Sequence, residues 1–295
     1  MAESTNFLEA TATTQLTTHT YSGLVPETYS VKGISQGGYL LSLLLRAAHH
    51  HFTTTHASLS QPHTISIHAS LLRPTPVGRV TISITDTKIS RGTSVIHLSL
   101  AASSGKESVA AYILQGNFDT LEGVSADTGY FDTLEKVPPR GSSAEMHANK
   151  DPNWKYAPEY AAQFDVPSIS YADMYVVRDS AESQSSLSRY FTPSRKYNPG
   201  NFSAFQIPWL ADMPYVPVLS EVAMSKWLAT LTMTVEIKRP LPAEGLEWVL
   251  CRTSTAGVRN GVADYNTWVQ NDRGEVLAFA TQVMRVVESK KRSKI

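Results

Sequence analysis

An internal echo constrains this chain more than any other feature of its sequence. Arg73-Pro74 returns as Arg239-Pro240, Gly92 as Gly257 and Gln115 as Gln282, at offsets of 166, 165 and 167 residues. The flanking segments match in character, ISIHASLLRP against LTMTVEIKRP and VAAYILQ against VLAFATQ. A fused duplication is the simplest reading. Each copy also carries an apolar, helix-like stretch ahead of its strand run, GGYLLSLLLRAAHHHF at 37 to 52 and WLADMPYVPVLSEVAM at 209 to 224. One helix followed by a long antiparallel meander, made twice, predicts two modules whose interface is the natural place for a ligand.

The first helix has almost no polar face, since Leu40, Leu41, Leu43, Leu44, Leu45, Ala47 and Ala48 surround it, so a sheet must wrap around it. Four strand-like runs supply that sheet: HTISIHASLL, GRVTISITDTKIS, TSVIHLSLAAS and SVAAYILQGNF, each rich in β-branched residues and bounded by Pro or Gly. Residues 119 to 165, with PPRGSS and DPN, read as a polar connection with some surface helix. The expected fold is α+β, two helix-wrapped antiparallel sheets in one chain. Its expected divisions are a first module at 1–122, a linker at 123–165, a second module at 166–288 and a basic tail at 289–295.

A chain of 295 residues with 42% hydrophobic content can bury one large core or two smaller ones. Its 26 basic and 26 acidic residues cancel, which argues against a broad positive field for nucleic acid. The single Cys251 cannot form an internal disulfide and reads as a small buried hydrophobe in a reducing compartment. No apolar run reaches the length of a membrane helix, and the amino end lacks the order of a signal peptide, so a soluble, intracellular protein is expected. No Gly-x-Ser-x-Gly elbow, phosphate loop or zinc spacing occurs. His49, His50 and His51 point about 100° apart on a helix and cannot share one metal, so a solvated helix end is expected for them. His63, His68 and His97 fall on strands and are expected at most to line the interface.

In SQGGYLLSLLLRAA, HTISIHASLLRP, SRGTSV, WLADMPYV, ATLTMTVEIKRP and STAGVRNGVADYNTWVQNDRGEVLAFATQVMRV, the chain resembles the double hot-dog acyl-coenzyme A thioesterases of the thioesterase II type and their fungal thioesterase-like relatives. The order, spacing and doubling of these pieces carry the resemblance. It implies a double hot-dog fold, and hydrolysis of an acyl thioester, on coenzyme A or an acyl carrier, to acid and thiol, without cofactor or metal. Matched motif to motif, it implies a water-holding trio of Asp212, at a helix start, with Thr234 and Gln282. A thioester is already activated, so a positioned water and a charge sink suffice. Gly37 and Gly38, at a helix amino end, are the candidates for that sink and for contact with the substrate carbonyl.

Each assignment has a structural alternative: Asp212 as a helix cap, Thr234 as an ordinary pleat residue, and Gln282 as a structural amide like Gln115. The chain departs from the bacterial and animal pattern in having Thr232-Met233 where those members have Asp-His. It also carries Pro208, Pro214 and Pro217 around its second helix. An enzyme repurposed for cyclisation or rearrangement of a biosynthetic intermediate, and a non-catalytic acyl-binding module, therefore stay open as readings. A monomer or homodimer is expected, because the duplication supplies the module pair within one chain. The ending Ser293-Lys294-Ile295 resembles a peroxisomal address, leaving cytoplasmic or peroxisomal residence as the expectation.

Overall fold

The computed structural model describes residues 6–126, 128–129, 136–159, 167–178, 186–194, 200–213, 218–219, 221–222 and 226–287. The basic tail with Ser293-Lys294-Ile295, Pro214, Pro217 and parts of 123–165 and 181–200 lie outside the described residues.

Short helix α1 (Phe7–Ala10) precedes strands β1 (Thr14–Thr17) and β2 (Thr20–Val25) and the small pair β3 (Ser30–Val31) and β4 (Ile34–Ser35). Helix α2 (Gly37–Thr54) follows, then β5 (His63–Leu71), β6 (Gly78–Lys88), β7 (Ser94–Ala101) and β8 (Glu107–Gly116). The strands alternate as a half-buried sheet demands: Val80, Ile82 and Ile84 of β6 are buried, while Thr81, Ser83 and Thr85 face outward. The inner face packs on α2, which presses against β2, β5 and β6.

The second half runs through α3 (Ser143–His147), β9 (Trp154–Tyr156), β10 (Ala172–Val177), β11 (Ser186–Pro193), α4 (Ile207–Asp212), β12 (Trp227–Ile237), β13 (Val249–Ser254), β14 (Val258–Arg259), β15 (Val262–Gln270) and β16 (Val276–Val287). Within 123–165, read from sequence as linker, β9 pairs with β10 and so extends the sheet. The strands form one 14-stranded sheet in the order β1-β2-β6-β7-β8-β5-β12-β16-β15-β13-β11-β10-β9, with β14 on β15. Every pairing is antiparallel, and this is a double hot dog: two meanders, each curled on a helix, fused edge to edge through β5 and β12.

The duplication is visible as local two-fold symmetry. Residues 68 and 234 are repeat equivalents at the 166-residue offset, and they pair with each other across the β5–β12 seam, so the local axis passes through them. Helices α2 and α4 pack on one another at the same axis. Both copies carry a bulge at the same place: the register slips between Thr64 and Ser66 where β5 meets β8, and between Thr230 and Thr232 where β12 meets β16. A bulge inverts which face the following side chains point to. One hydrophobic core runs from Tyr21 and Ile82 through α2 to Trp209, Val235 and Ala280, spanning both modules.

Candidate active site

The amino end of α2 has no cap from its own segment, for Gln36 at the cap position makes no side-chain capping bond. The Gln36 amide oxygen instead accepts from Ser168 Oγ at 2.6 Å. The first turn of a helix leaves backbone N–H groups without intrahelical acceptors. One of them is satisfied from the other module: Gly38 N–H donates to Asp212 Oδ2 at 2.8 Å, both buried. Asp212 is the last residue of α4, not the start of a helix as expected from sequence, and the amino end it caps belongs to α2. Glycine is obligatory at 38, since a Cβ would lie 2.5 Å from Pro208 O and 2.7 Å from Asp212 Cβ.

Burial raises the Asp212 pKa to about 6, while the Gly38 N–H and the nearby Gln282 amide pull it down. Asp212 Oδ1 is buried and, among the described residues, makes no hydrogen bond. It therefore keeps a full acceptor for an incoming proton. Gln282 points inward from β16 with Ala278, Ala280 and Met284, and its Nε2 is likewise buried without a hydrogen bond among the described residues.

The structure brings Asp212 and Gln282 together but not Thr234. In β12 the buried, inward residues are Met233, Val235 and Ile237, so Thr234 points to the opposite face, where its Oγ1 lies 2.7 Å from His68 Nδ1. The threonine beside Gln282 is Thr230, whose hydroxyl donates to Gln282 Oε1 at 3.4 Å. Strict alternation from Met233 would turn position 230 away, and the bulge at Leu231 turns it inward. Sequence reasoning missed Thr230 for that reason. The repeat held the signal, because Thr64 and Gln115 stand at the equivalent positions of the first copy.

That first-copy pair shows what a purely structural version looks like. Thr64 Oγ1 donates to Gln115 Oε1 at 2.9 Å, and Gln115 Nε2 donates to the main-chain oxygen of Gln61 at 3.1 Å, so this amide is satisfied on both sides. At the same 166-residue offset, position 212 corresponds to Arg46, whose guanidinium sits 4.6 Å from the Phe205 ring centre. A carboxylate with an open acceptor exists in only one of the two equivalent places.

A cavity of about 450 Å³ opens at this point between the modules. Gly37, Asp212 and Thr230 lie in its lining with Ser35, Gln36, Arg73 and Thr75, and Leu40, Leu71, Ile169, Leu228 and Leu231 form much of its apolar wall. Gln282 is not part of that wall and stands behind it. Gly37 N–H belongs to the first turn of α2, whose dipole favours negative charge at this end. The set can polarise a carbonyl, hold a water against it and take a proton from that water. Cys251 offers no thiolate, because it is fully buried, burial drives its pKa up, and its Sγ faces Leu210 O at 3.9 Å.

The acyl-CoA thioesterase N-terminal domain family matches residues 25–116, and the acyl-CoA thioesterase C-terminal domain family matches residues 138–286. The chain belongs to the double hot-dog acyl-CoA thioesterases. Thioesterase-like protein TwmA of Talaromyces wortmannii is 27% identical, with 95% of this chain and 92% of that protein aligned. The solved structure of an acyl-CoA thioesterase II, TesB2, from Mycobacterium marinum superposes with a TM-score of 0.67 at 16% identity, covering 96% of this chain and 99% of that one. A hot-dog protein of Alicyclobacillus acidocaldarius superposes with a TM-score of 0.71 at 18% identity, covering 96% and 98%. At those identities the structures establish the fold. Among the described residues no helix is long and apolar enough to cross a membrane.

Proposed function

We propose that this protein hydrolyses acyl thioesters to a free acid and a thiol, with Asp212 as general base, Thr230 and Gln282 as its positioning partners, and Gly37 N–H as donor to the thioester oxygen. The observation that carries the proposal is a buried carboxylate beside an apolar cavity, with one oxygen fixed by Gly38 N–H and the other left without a hydrogen bond among the described residues. With a pKa of about 6, Asp212 is ionised at neutral pH yet basic enough to take a proton as water attacks. Thr230 shares the cavity wall with Asp212, so a water there can donate to the carboxylate and meet the hydroxyl. Gln282, held by Thr230, lies close enough to the carboxylate to favour its ionised form.

As water adds, its proton passes to Asp212 Oδ1 and negative charge develops on the thioester oxygen. The Gly37 N–H and the α2 dipole stabilise that charge. Collapse of the tetrahedral adduct expels the thiolate, which takes a proton and leaves as thiol. The leucine-rich part of the cavity lining fits an acyl chain. The carrier is coenzyme A or an acyl carrier protein in this proposal, and cytoplasmic or peroxisomal residence agrees with either. Thiol release from saturated acyl-coenzyme A esters of increasing length tests it. Turnover that falls at least a hundredfold in Asp212→Asn is expected, and full activity in a folded Asp212→Asn protein would reject the assignment.

A further inference from the structure

Four residues far apart in sequence converge at the opposite end of α2 from Gly38. His19 comes from the turn between β1 and β2, His51 from the last turns of α2, His56 from just beyond that helix and Asp86 from β6. The three imidazole Nε2 atoms all face one carboxylate: His19 lies 3.2 Å from Asp86 Oδ2, His51 3.0 Å from Oδ1 and His56 2.8 Å from Oδ2. The rings crowd one another, with centroids 5.0 Å apart for His19 and His51 and 4.9 Å for His51 and His56. The donor atoms of His19, His51 and Asp86 all lie within 4.8 Å of one another.

We propose that His19, His51, His56 and Asp86 form a binding site for a single divalent transition-metal ion, Zn²⁺ being the best fit. Three neutral imidazoles and one carboxylate are a donor set of the type zinc takes, and their charge of −1 partly neutralises the ion. With bonds of about 2.0–2.2 Å, ligand atoms of a tetrahedral zinc stand roughly 3.3 Å apart. The nitrogen–oxygen separations of 2.8 to 3.2 Å are already close to that edge, and the donor atoms of His19, His51 and Asp86 form the compact core of the set, toward which the His56 ring has to shift to complete it.

The surroundings fit as well. His51 Nδ1 lies 3.1 Å from the Tyr21 hydroxyl, and His19 Nδ1 lies 2.9 Å from Thr18 Oγ1. With the proton on Nδ1, each hydroxyl can accept from it and the Nε2 lone pairs are free to bind an ion; such outer partners are the usual companions of metal-bound histidine. His51 is fully buried, whereas His19 and Asp86 are partly exposed at 44% and 24% of their side-chain surfaces, so an ion can reach the site from solvent. Sequence spacing could not show this: the ligands stand at 19, 51, 56 and 86, and of the three consecutive histidines only His51 takes part.

The ion would tie the β1–β2 hairpin, the end of α2 and β6 together. Gly38 is 13 residues from His51 along the helix, about 20 Å away, so the ion acts on stability and not on turnover.

The test uses the untagged full chain stripped by a chelator. Calorimetric titration with Zn²⁺ should give one ion per chain, and Co²⁺ should give the intense visible absorption of a tetrahedral site. Zn²⁺ at a hundredfold excess over Kd should raise Tm by about 4 °C. His19→Ala, on the exposed edge, should weaken Zn²⁺ at least tenfold and remove most of the Tm shift while leaving thiol release unchanged. Absence of stoichiometric Zn²⁺ binding by the wild-type chain, an octahedral Co²⁺ spectrum, or undiminished binding in a folded His19→Ala, His56→Ala double variant would each overturn the proposal.

Discussion

Replacing Asp212 by asparagine should make the protein more stable while removing its activity. The amide keeps the shape and keeps an oxygen to accept from Gly38 N–H, but it carries no charge. Burial places the Asp212 pKa at about 6 against an ordinary 3.8, so the folded state binds this proton more tightly than the unfolded chain does. The sign follows: the contribution of the group to stability is full below pH 3.8 and is lost as pH rises to about 6. A shift of roughly two units at 1.36 kcal/mol each makes the ionised carboxylate cost about 3 kcal/mol above pH 7. The neutral amide avoids that cost at every pH. Urea unfolding of the Asp212→Asn variant should therefore show a gain of about 3 kcal/mol at pH 7.5, about half that at pH 5 and almost none at pH 3. In a thermal scan the gain at neutral pH corresponds to about 5 °C. A variant less stable than wild type at pH 7.5, or a difference that does not change with pH, would refute the reasoning about this carboxylate.

The remaining predictions concern the residues around it. Thr230→Ala should lower kcat/KM roughly tenfold, the scale of one lost positioning hydrogen bond. Thr234→Ala, which loses only its contact with His68 on the outer face, should stay within twofold in the same thiol-release assay. The two glutamines should separate cleanly. Gln115→Ala leaves Thr64 and the Gln61 carbonyl unpaired and should cost about 1–3 kcal/mol in urea unfolding with turnover retained, whereas Gln282→Ala should lower turnover more than it lowers stability. The pH profile of kcat/KM should rise tenfold per unit up to about pH 6, where Asp212 ionises, and level off above it. A profile flat from pH 4.5 to 8 would remove Asp212 from the base role.

Much of the architecture was legible because it rests on short-range pattern. The α2 segment is apolar all round and could only be a helix inside a curled sheet, and the 166-residue echo required that arrangement twice. The second helix was less legible. The run 209–224 is apolar enough to suggest four turns, yet α4 ends at Asp212, just before the prolines at 214 and 217 that cannot extend a backbone ladder. The resemblance singled out Asp212 and Gln282, which lie together in the structure, but not their contacts with Gly38 and Thr230, which depend on long-range geometry. Period-2 counting from Met233, Val235 and Ile237 turns Thr230 and Thr234 outward alike, only the bulge at Leu231 brings Thr230 in, and a bulge leaves no mark in a single strand's sequence. The bond from Gly38 to Asp212 spans 174 residues and joins two helices that share only the symmetry axis. The expectation of a solvated histidine run failed for His51, which the β1–β2 hairpin and β6 enclose. The duplication itself holds the missing signal: aligning position 64 with 230 and 115 with 282 pairs Gln282 with the threonine that it contacts in the structure.

The central claim is that Asp212 activates a water and does not itself attack the thioester. A single turnover in ¹⁸O-labelled water, with enzyme in excess over acyl-coenzyme A, tests it most directly. Direct attack by water places one solvent oxygen in every molecule of acid released, and the mass of the product from that first turnover should show it. Acid that emerges from the first turnover without solvent label, carrying instead an oxygen donated by the Asp212 carboxylate, would contradict the account.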